Sequence, residues 1–118
     1  KKFKRNSSKF FKLRYIPKNV IENNDALIII FNNSRQAWYI KQTLEKNKLG
    51  TKILPEAITW HFSYYWTHIK ELKNVNLKKS YRLLSSSLAI PINCKMKIQQ
   101  LDKYFNVIHK CLSNEDFF

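Results

Sequence analysis

Trp60-His61 and Trp66-Thr67-His68 place two indoles and two imidazoles within nine residues. They lie in the run Gly50-Thr51-Lys52-Ile53-Leu54-Pro55-Glu56-Ala57-Ile58-Thr59-Trp60-His61-Phe62-Ser63-Tyr64-Tyr65-Trp66-Thr67-His68-Ile69, which also holds the only glycine of the chain. An indole offers a broad apolar face and one N–H donor, and such a face stacks on the C–H surface of a sugar ring. An imidazole exchanges protons near neutral pH. When protonated it meets a carboxylate or phosphate, as the Lys52 ammonium also would. Apolar walls with a few convergent polar tips line pockets that receive polar ligands. Lys52, Trp60, His61, Trp66 and His68 are therefore the candidate substrate-binding residues. The same residues have plainer uses: Trp60 and Trp66 as core plugs, His61 and His68 as satisfied surface or backbone-bonded rings. His109, beside Ile108 on an apolar-patterned segment, reads as structural or exposed.

No catalytic residue is assigned. The sequence offers no Ser-His-Asp or Cys-His arrangement, and its eight acidic residues are too dispersed for a glycosidase-type carboxylate pair. Cys94 and Cys111 stand apart with no CxxC motif. Four metal ligands at characteristic spacing are missing, so the two read as free thiols and no metal is expected.

The elements that must position the run follow from periodicity. Residues 1–16 are basic with Phe3, Phe10, Phe11 and Tyr15 interleaved, which reads as a short helix or an arm. Residues 17–24 read as a loop. Asp25 to Phe31 is short, β-branched and continuously apolar, the pattern of a buried strand. Ser34 is a suitable N-cap for a helix to about Lys48, with Ala37, Ile40 and Leu44 on one face and Trp38 and Tyr39 widening it. Gly50 then suits the residue that ends such a helix. Strand, helix and glycine stop form the first half of a βαβ or split βαβ unit. Residues 51–54 read as extended, 55–62 as loop and 64–72 as weakly helical. A helix over 78–87, with a Tyr81, Leu84 and Leu88 stripe, is followed by an extended run, 87–92. Pro91 confines that run to an edge or a loop. Ile98, Leu101, Phe105, Ile108 and Leu112 recur at helical spacing and predict a terminal amphipathic helix.

At 118 residues and 44% hydrophobic content the chain is one domain with enough apolar mass for a core. The net charge of +14 is the footprint of a nucleic-acid or acidic-surface partner, or of coding bias. Lys greatly outnumbers Arg and the cations are scattered, which favours bias. A basic nucleic-acid-binding module is the alternative reading of function. The longest apolar run, Ala26 to Phe31, is too short to span a bilayer, and no apolar signal segment follows the basic start. A cytoplasmic location is expected.

Three places in residues 25–112 resemble the C-terminal small domain of the DegT/DnrJ/EryC1/StrS aminotransferases. The first is Leu49-Gly50-Thr51 after a strand and helix. The second is Leu54-Pro55-Glu56-Ala57-Ile58-Thr59-Trp60-His61-Phe62 with Tyr65-Trp66-Thr67-His68. The third is Ser85-Ser86-Ser87-Leu88-Ala89-Ile90-Pro91-Ile92 before a terminal helix. The second run is similar to one found in a branch acting on octulosonate-type sugars. The family consists of fold-type I pyridoxal-phosphate enzymes that aminate keto-sugars, usually nucleotide-linked, in surface polysaccharide biosynthesis. The resemblance implies an α+β fold, a small mixed or antiparallel sheet packed with helices. It implies an arm or partial inter-domain helix over 1–24 and the small domain over 25–118. It also implies a keto-sugar substrate faced by Lys52, Trp60, His61, Trp66 and His68, and a homodimer in the intact enzyme. The cofactor lysine, its acidic partner and the phosphate-binding residues belong to the family's large domain. The expectation is a fragment that binds no pyridoxal phosphate and carries out no transamination by itself. Tyr64 departs from the family, where a smaller residue is expected.

Overall fold

The computed structural model describes residues 9–21, 23 and 25–113, with the side chain of Trp60 excepted. It is an α+β fold: a three-stranded open antiparallel sheet packed with helices. The strands are β1 (Phe11–Leu13), β2 (Ala26–Phe31) and β3 (Ser87–Pro91), in the order β1-β2-β3. The helices are α1 (Ser34–Lys46), α2 (Ile58–His61), α3 (Lys78–Ser85) and α4 (Ile98–Ser113), with 3₁₀ turns at Ser63–Tyr65 and Lys70–Asn74.

Register explains the core. Phe11 faces Phe31, Leu13 faces Ile29, Ile29 faces Leu88 and Leu27 faces Ile90. Side chains alternate across a strand, so all of these share one face of the sheet. That face meets Ala37, Ile40 and Leu44 of α1 and Tyr104, Ile108, Cys111 and Leu112 of α4. Ile29, Ile40, Leu44, Leu88, Ile90 and Ile108 are fully buried. Each such side chain contributes about 1.5–3 kcal/mol by leaving water. Lys12, Ile28, Ile30, Ser87 and Ala89 belong to the opposite face.

Several expectations are corrected. The helix or arm read into residues 1–16 is strand at Phe11–Leu13, because Phe11 buries its ring edge-on against Phe31, 6.0 Å between centroids. Residues 1–8 lie outside the described part. Asn33, not Ser34, caps α1: its Oδ1 accepts from the Gln36 amide at 2.9 Å. Gln36 Oε1 in turn accepts from the Asn32 amide at 3.2 Å, a reciprocal arrangement akin to a capping box that lets this glutamine be buried. Gly50 does not end α1. Lys48 does, at φ 59°, with Leu49 N–H donating to Leu44 O and Lys48 N–H to Glu45 O. These two bonds form a Schellman motif with lysine at the left-handed position. Among the described residues no parallel βαβ unit forms, since β3 returns antiparallel beside β2.

Residues 58–61, read as loop, are a short helix. The weakly helical reading of 64–72 resolves into the two 3₁₀ turns. α3 stops at Ser85, two residues earlier than read, because Ser86 and Ser87 leave the helix while their hydroxyls donate to the Arg82 and Leu83 carbonyls. The triple serine thus satisfies the last orphan carbonyls of α3 and passes the chain into β3. Pro91 ends that edge strand, as its missing N–H requires. In α4 the buried stripe is rotated from the one read by spacing: Tyr104 and Cys111 enter the core, and Ile98 is 75% exposed.

Candidate functional site

The run from Gly50 is fastened at its start and middle. Lys52 N–H donates to Ala89 O at 2.8 Å and Ala89 N–H donates to Leu54 O at 3.4 Å, so this stretch lies along the outer edge of β3. The Tyr104 hydroxyl of α4 donates to Gly50 O at 2.8 Å. Burial pushes this phenol's pKa up. Ile53, between the two edge bonds, has φ 27°, a strained value for a β-branched residue, and the Leu54–Pro55 peptide is cis.

A second tie comes from α1. The Lys41 ammonium lies 2.9 Å from Glu45 Oε1 and 3.2 Å from Glu56 Oε2, and 5.2 Å from the centroid of the Trp38 ring. The Lys41 side chain is only 7% exposed. Hydrogen bonding to Glu45 raises its pKa first, with Glu56 adding and burial opposing. A buried cation is tolerable here because two carboxylates and a ring face it.

Beyond α2 the chain curls on itself. Ser63, Tyr64, Trp66, Thr67, Lys73 and Leu77 are among the residues that line a concavity of about 310 Å³. Phe62, Tyr64 and Tyr65 of this stretch meet Tyr81 of α3 with ring centroids 5.1–6.4 Å apart. A hydrogen bond to Tyr81 is the first cause that raises the Tyr65 pKa. The ring cluster braces the concavity against α3.

Against this geometry the five candidates separate. Trp66 lines the concavity and is 39% exposed. His68 is exposed on the same turn but is not among the lining residues. His61 is exposed at the end of α2. Lys52 is paired with Asp25, whose carboxyl it holds below the usual range by a direct hydrogen bond. The side chain of Trp60 lies outside what the structure describes. No hydrogen bond, ion pair or ring contact joins any two of Lys52, His61, Trp66 and His68. Sequence reasoning missed Lys73 and the hydroxyls of Ser63 and Thr67 as pocket residues. Their one local signal was proximity to Trp66.

Among the described residues no group of three or more His, Cys, Asp and Glu is placed to hold a metal ion, and Cys94 and Cys111 are both free thiols. Among them, too, no helix is long and apolar enough to cross a membrane. No family model, curated protein or solved structure matches this chain.

Proposed function

We propose that this chain is the C-terminal small domain of a DegT/DnrJ/EryC1/StrS-type sugar aminotransferase, and that its Gly50–Ile69 run supplies part of the sugar-side wall. In the intact enzyme the large domain or a partner chain supplies the lysine that holds pyridoxal phosphate, and the assembly is a homodimer acting on a keto-sugar. By itself the chain binds no coenzyme and does not transaminate.

One observation carries this reading. Two of the runs that resemble the family, 54–68 and 85–92, are far apart in sequence yet are joined by a hydrogen bond from Ala89 N–H to Leu54 O. The 49–51 turn is tied through Gly50 to α4, and the 52–54 stretch is tied to Ala89 in the Ser85–Ile92 run. A compact α+β unit that joins these runs is what a domain framing a substrate-facing loop requires. The concavity beside them has two aromatic rings, Tyr64 and Trp66, a small set of hydroxyls and one cation, Lys73. That chemistry suits a carbohydrate carrying a negative charge.

Titration of labelled protein with keto-sugar acids, followed by nuclear magnetic resonance, tests it. The Trp66 indole and the Thr67 amide shift in the wild type, and Trp66→Ala weakens binding about tenfold, the order of one lost stacking contact. Absence of any shift at these positions, or a stable visible absorbance band after gel filtration with pyridoxal phosphate, would refute the assignment.

A further inference from the structure

The two edges of the sheet differ. The outer side of β3 is covered, since Lys52 N–H donates to Ala89 O and Ala89 N–H donates to Leu54 O. Among the described residues β1 has a neighbour on one side only. The bond from Arg14 N–H to Ile28 O, 3.2 Å long, continues the register of β1 and β2 one residue past Leu13. In an antiparallel ladder, hydrogen-bonded pairs alternate with pairs that are not bonded. Lys12 and Arg14 therefore turn their main-chain N–H and C=O groups toward β2, and Leu13 and Tyr15 turn theirs outward. Among the described residues neither Leu13 nor Tyr15 makes a main-chain bond on that outer side. Outward groups at every second residue are the template for a further strand.

The side chains beside this edge decide what such a strand carries. Lys12 belongs to the sheet face away from the core, and with Lys79 and Arg82 of α3 it lines a hollow of about 340 Å³. No carboxylate lines the hollow, and among the described residues these three cations form no ion pair. A strand added beside β1 puts every second side chain on this face, with the Cβ opposite Lys12 about 4.5–5.5 Å away. A carboxylate there meets Lys12 directly and lies in the field of Lys79 and Arg82. The intervening side chains fall on the other face, beside Leu13, which is half-buried, and Tyr15, which is 81% exposed. Apolar residues at those positions take both from water. A second copy of this chain does not suit the edge. Pairing Leu13 with Leu13 sets Lys12 opposite Arg14, and pairing Leu13 with Tyr15 sets Arg14 opposite Arg14. Like charges directly opposed destabilise a strand pair.

We propose that the outer edge of β1 takes up, by strand addition, an extended peptide segment of another protein in which acidic and apolar residues alternate. Its acidic face meets Lys12, Lys79 and Arg82, and its apolar face covers Leu13 and Tyr15. The site is distinct from the Trp66 concavity and does not depend on how that region is assigned.

Fluorescence anisotropy of a labelled peptide, Glu-Val-Glu-Val-Glu-Val-Glu, titrated with the whole chain tests the proposal. The wild type binds the peptide, and the Leu13 and Tyr15 amides shift in nuclear magnetic resonance spectra as it is added. The same peptide N-methylated at its valines keeps its charge but loses the donors aimed at β1, so it binds at least about tenfold more weakly. The Lys79→Ala/Arg82→Ala double variant loses at least about tenfold in affinity for the unmodified peptide. A Lys95→Ala/Lys97→Ala control, which removes the same charge from exposed positions outside the hollow, stays within about twofold of wild type. Three results would each overturn the assignment: no binding by the wild type, equal affinity for the N-methylated peptide, or equal losses in the two double variants. Either of the last two would leave only a general attraction of anions, nucleic acid included, to a chain of charge +14.

Discussion

Lys41 shows how a single side chain can decide where a loop sits. Its ammonium is nearly enclosed, and it joins a carboxylate of its own helix to Glu56 at the head of the 56–69 stretch. Both carboxylates are substantially exposed, at 46% and 66%, so water weakens each pair. Charge-assisted bonds from a buried donor still outweigh exposed ones. Lys41→Met keeps the aliphatic stem and removes the charge; it is expected to lower the unfolding free energy by about 1–2 kcal/mol in urea titrations at neutral pH. The folded-state pKa of Lys41 is raised above 10.5. The stabilisation is therefore complete below the ordinary lysine value and fades as pH rises through the raised one. A variant as stable as wild type at neutral pH would show that the enclosed charge contributes nothing. The sequence did not disclose this residue. A lysine four positions before a glutamate on an amphipathic helix reads as a solvated pair, and only the tertiary return of Glu56 encloses it. Trp66 was legible by contrast, because an indole among hydroxyls within a few residues is already a local pocket signal.

Helix endings carry a different lesson. The apolar periods of β2 and α1 were readable because burial on one face dictates residue type at each step. The end of α1 was misread because glycine was assumed to take the left-handed position. That position belongs to Lys48, at φ 59°, while Gly50 has no positive φ and its missing Cβ would meet nothing within 4 Å. Two opposite substitutions should therefore both stabilise. Lys48→Gly relieves a left-handed backbone for about 0.5–1 kcal/mol. Gly50→Ala restricts the unfolded chain for about 0.4–1 kcal/mol. Thermal unfolding of each variant checks the pair, and a lower melting temperature for Gly50→Ala would mean that the turn needs glycine for a reason other than space. The α4 stripe was partly misread for a related cause. Spacing gave the helix but not its rotation, which Tyr104 sets by reaching Gly50. The short helix at Ile58–His61 and the 3₁₀ turns beyond it have too few residues for periodicity to register.

Across the whole molecule two opposing forces act on association. A charge of +14 repels other copies. Tyr15, Val20, Ile21 and other large apolar side chains, with Ile21 99% exposed, invite contact. Repulsion between copies is screened once the Debye length falls to about 10 Å near 0.1 M salt, whereas apolar attraction is not. Self-association is therefore expected to increase with salt, the reverse of ion-pair assembly. Sedimentation velocity at low and high ionic strength checks this, and a monomer at both would show that the exposed apolar residues are too scattered to act together. The fold class was legible at this scale because composition and element order bound it. A hollow of about 340 Å³ lined by Lys12, Lys79 and Arg82 was not, since β1 and α3 are distant in sequence and their charges look scattered until the sheet assembles them. The split between β2 and β3 has a last consequence. The exposed Lys70 and Lys73 lie on the 3₁₀ turn between the two strands, so brief trypsin treatment should nick the chain there. The two pieces should nonetheless co-elute as one particle, because the central strand β2 of one pairs with β3 of the other and each adds a helix to the same interior. Separate expression of the halves would then reconstitute the domain on mixing.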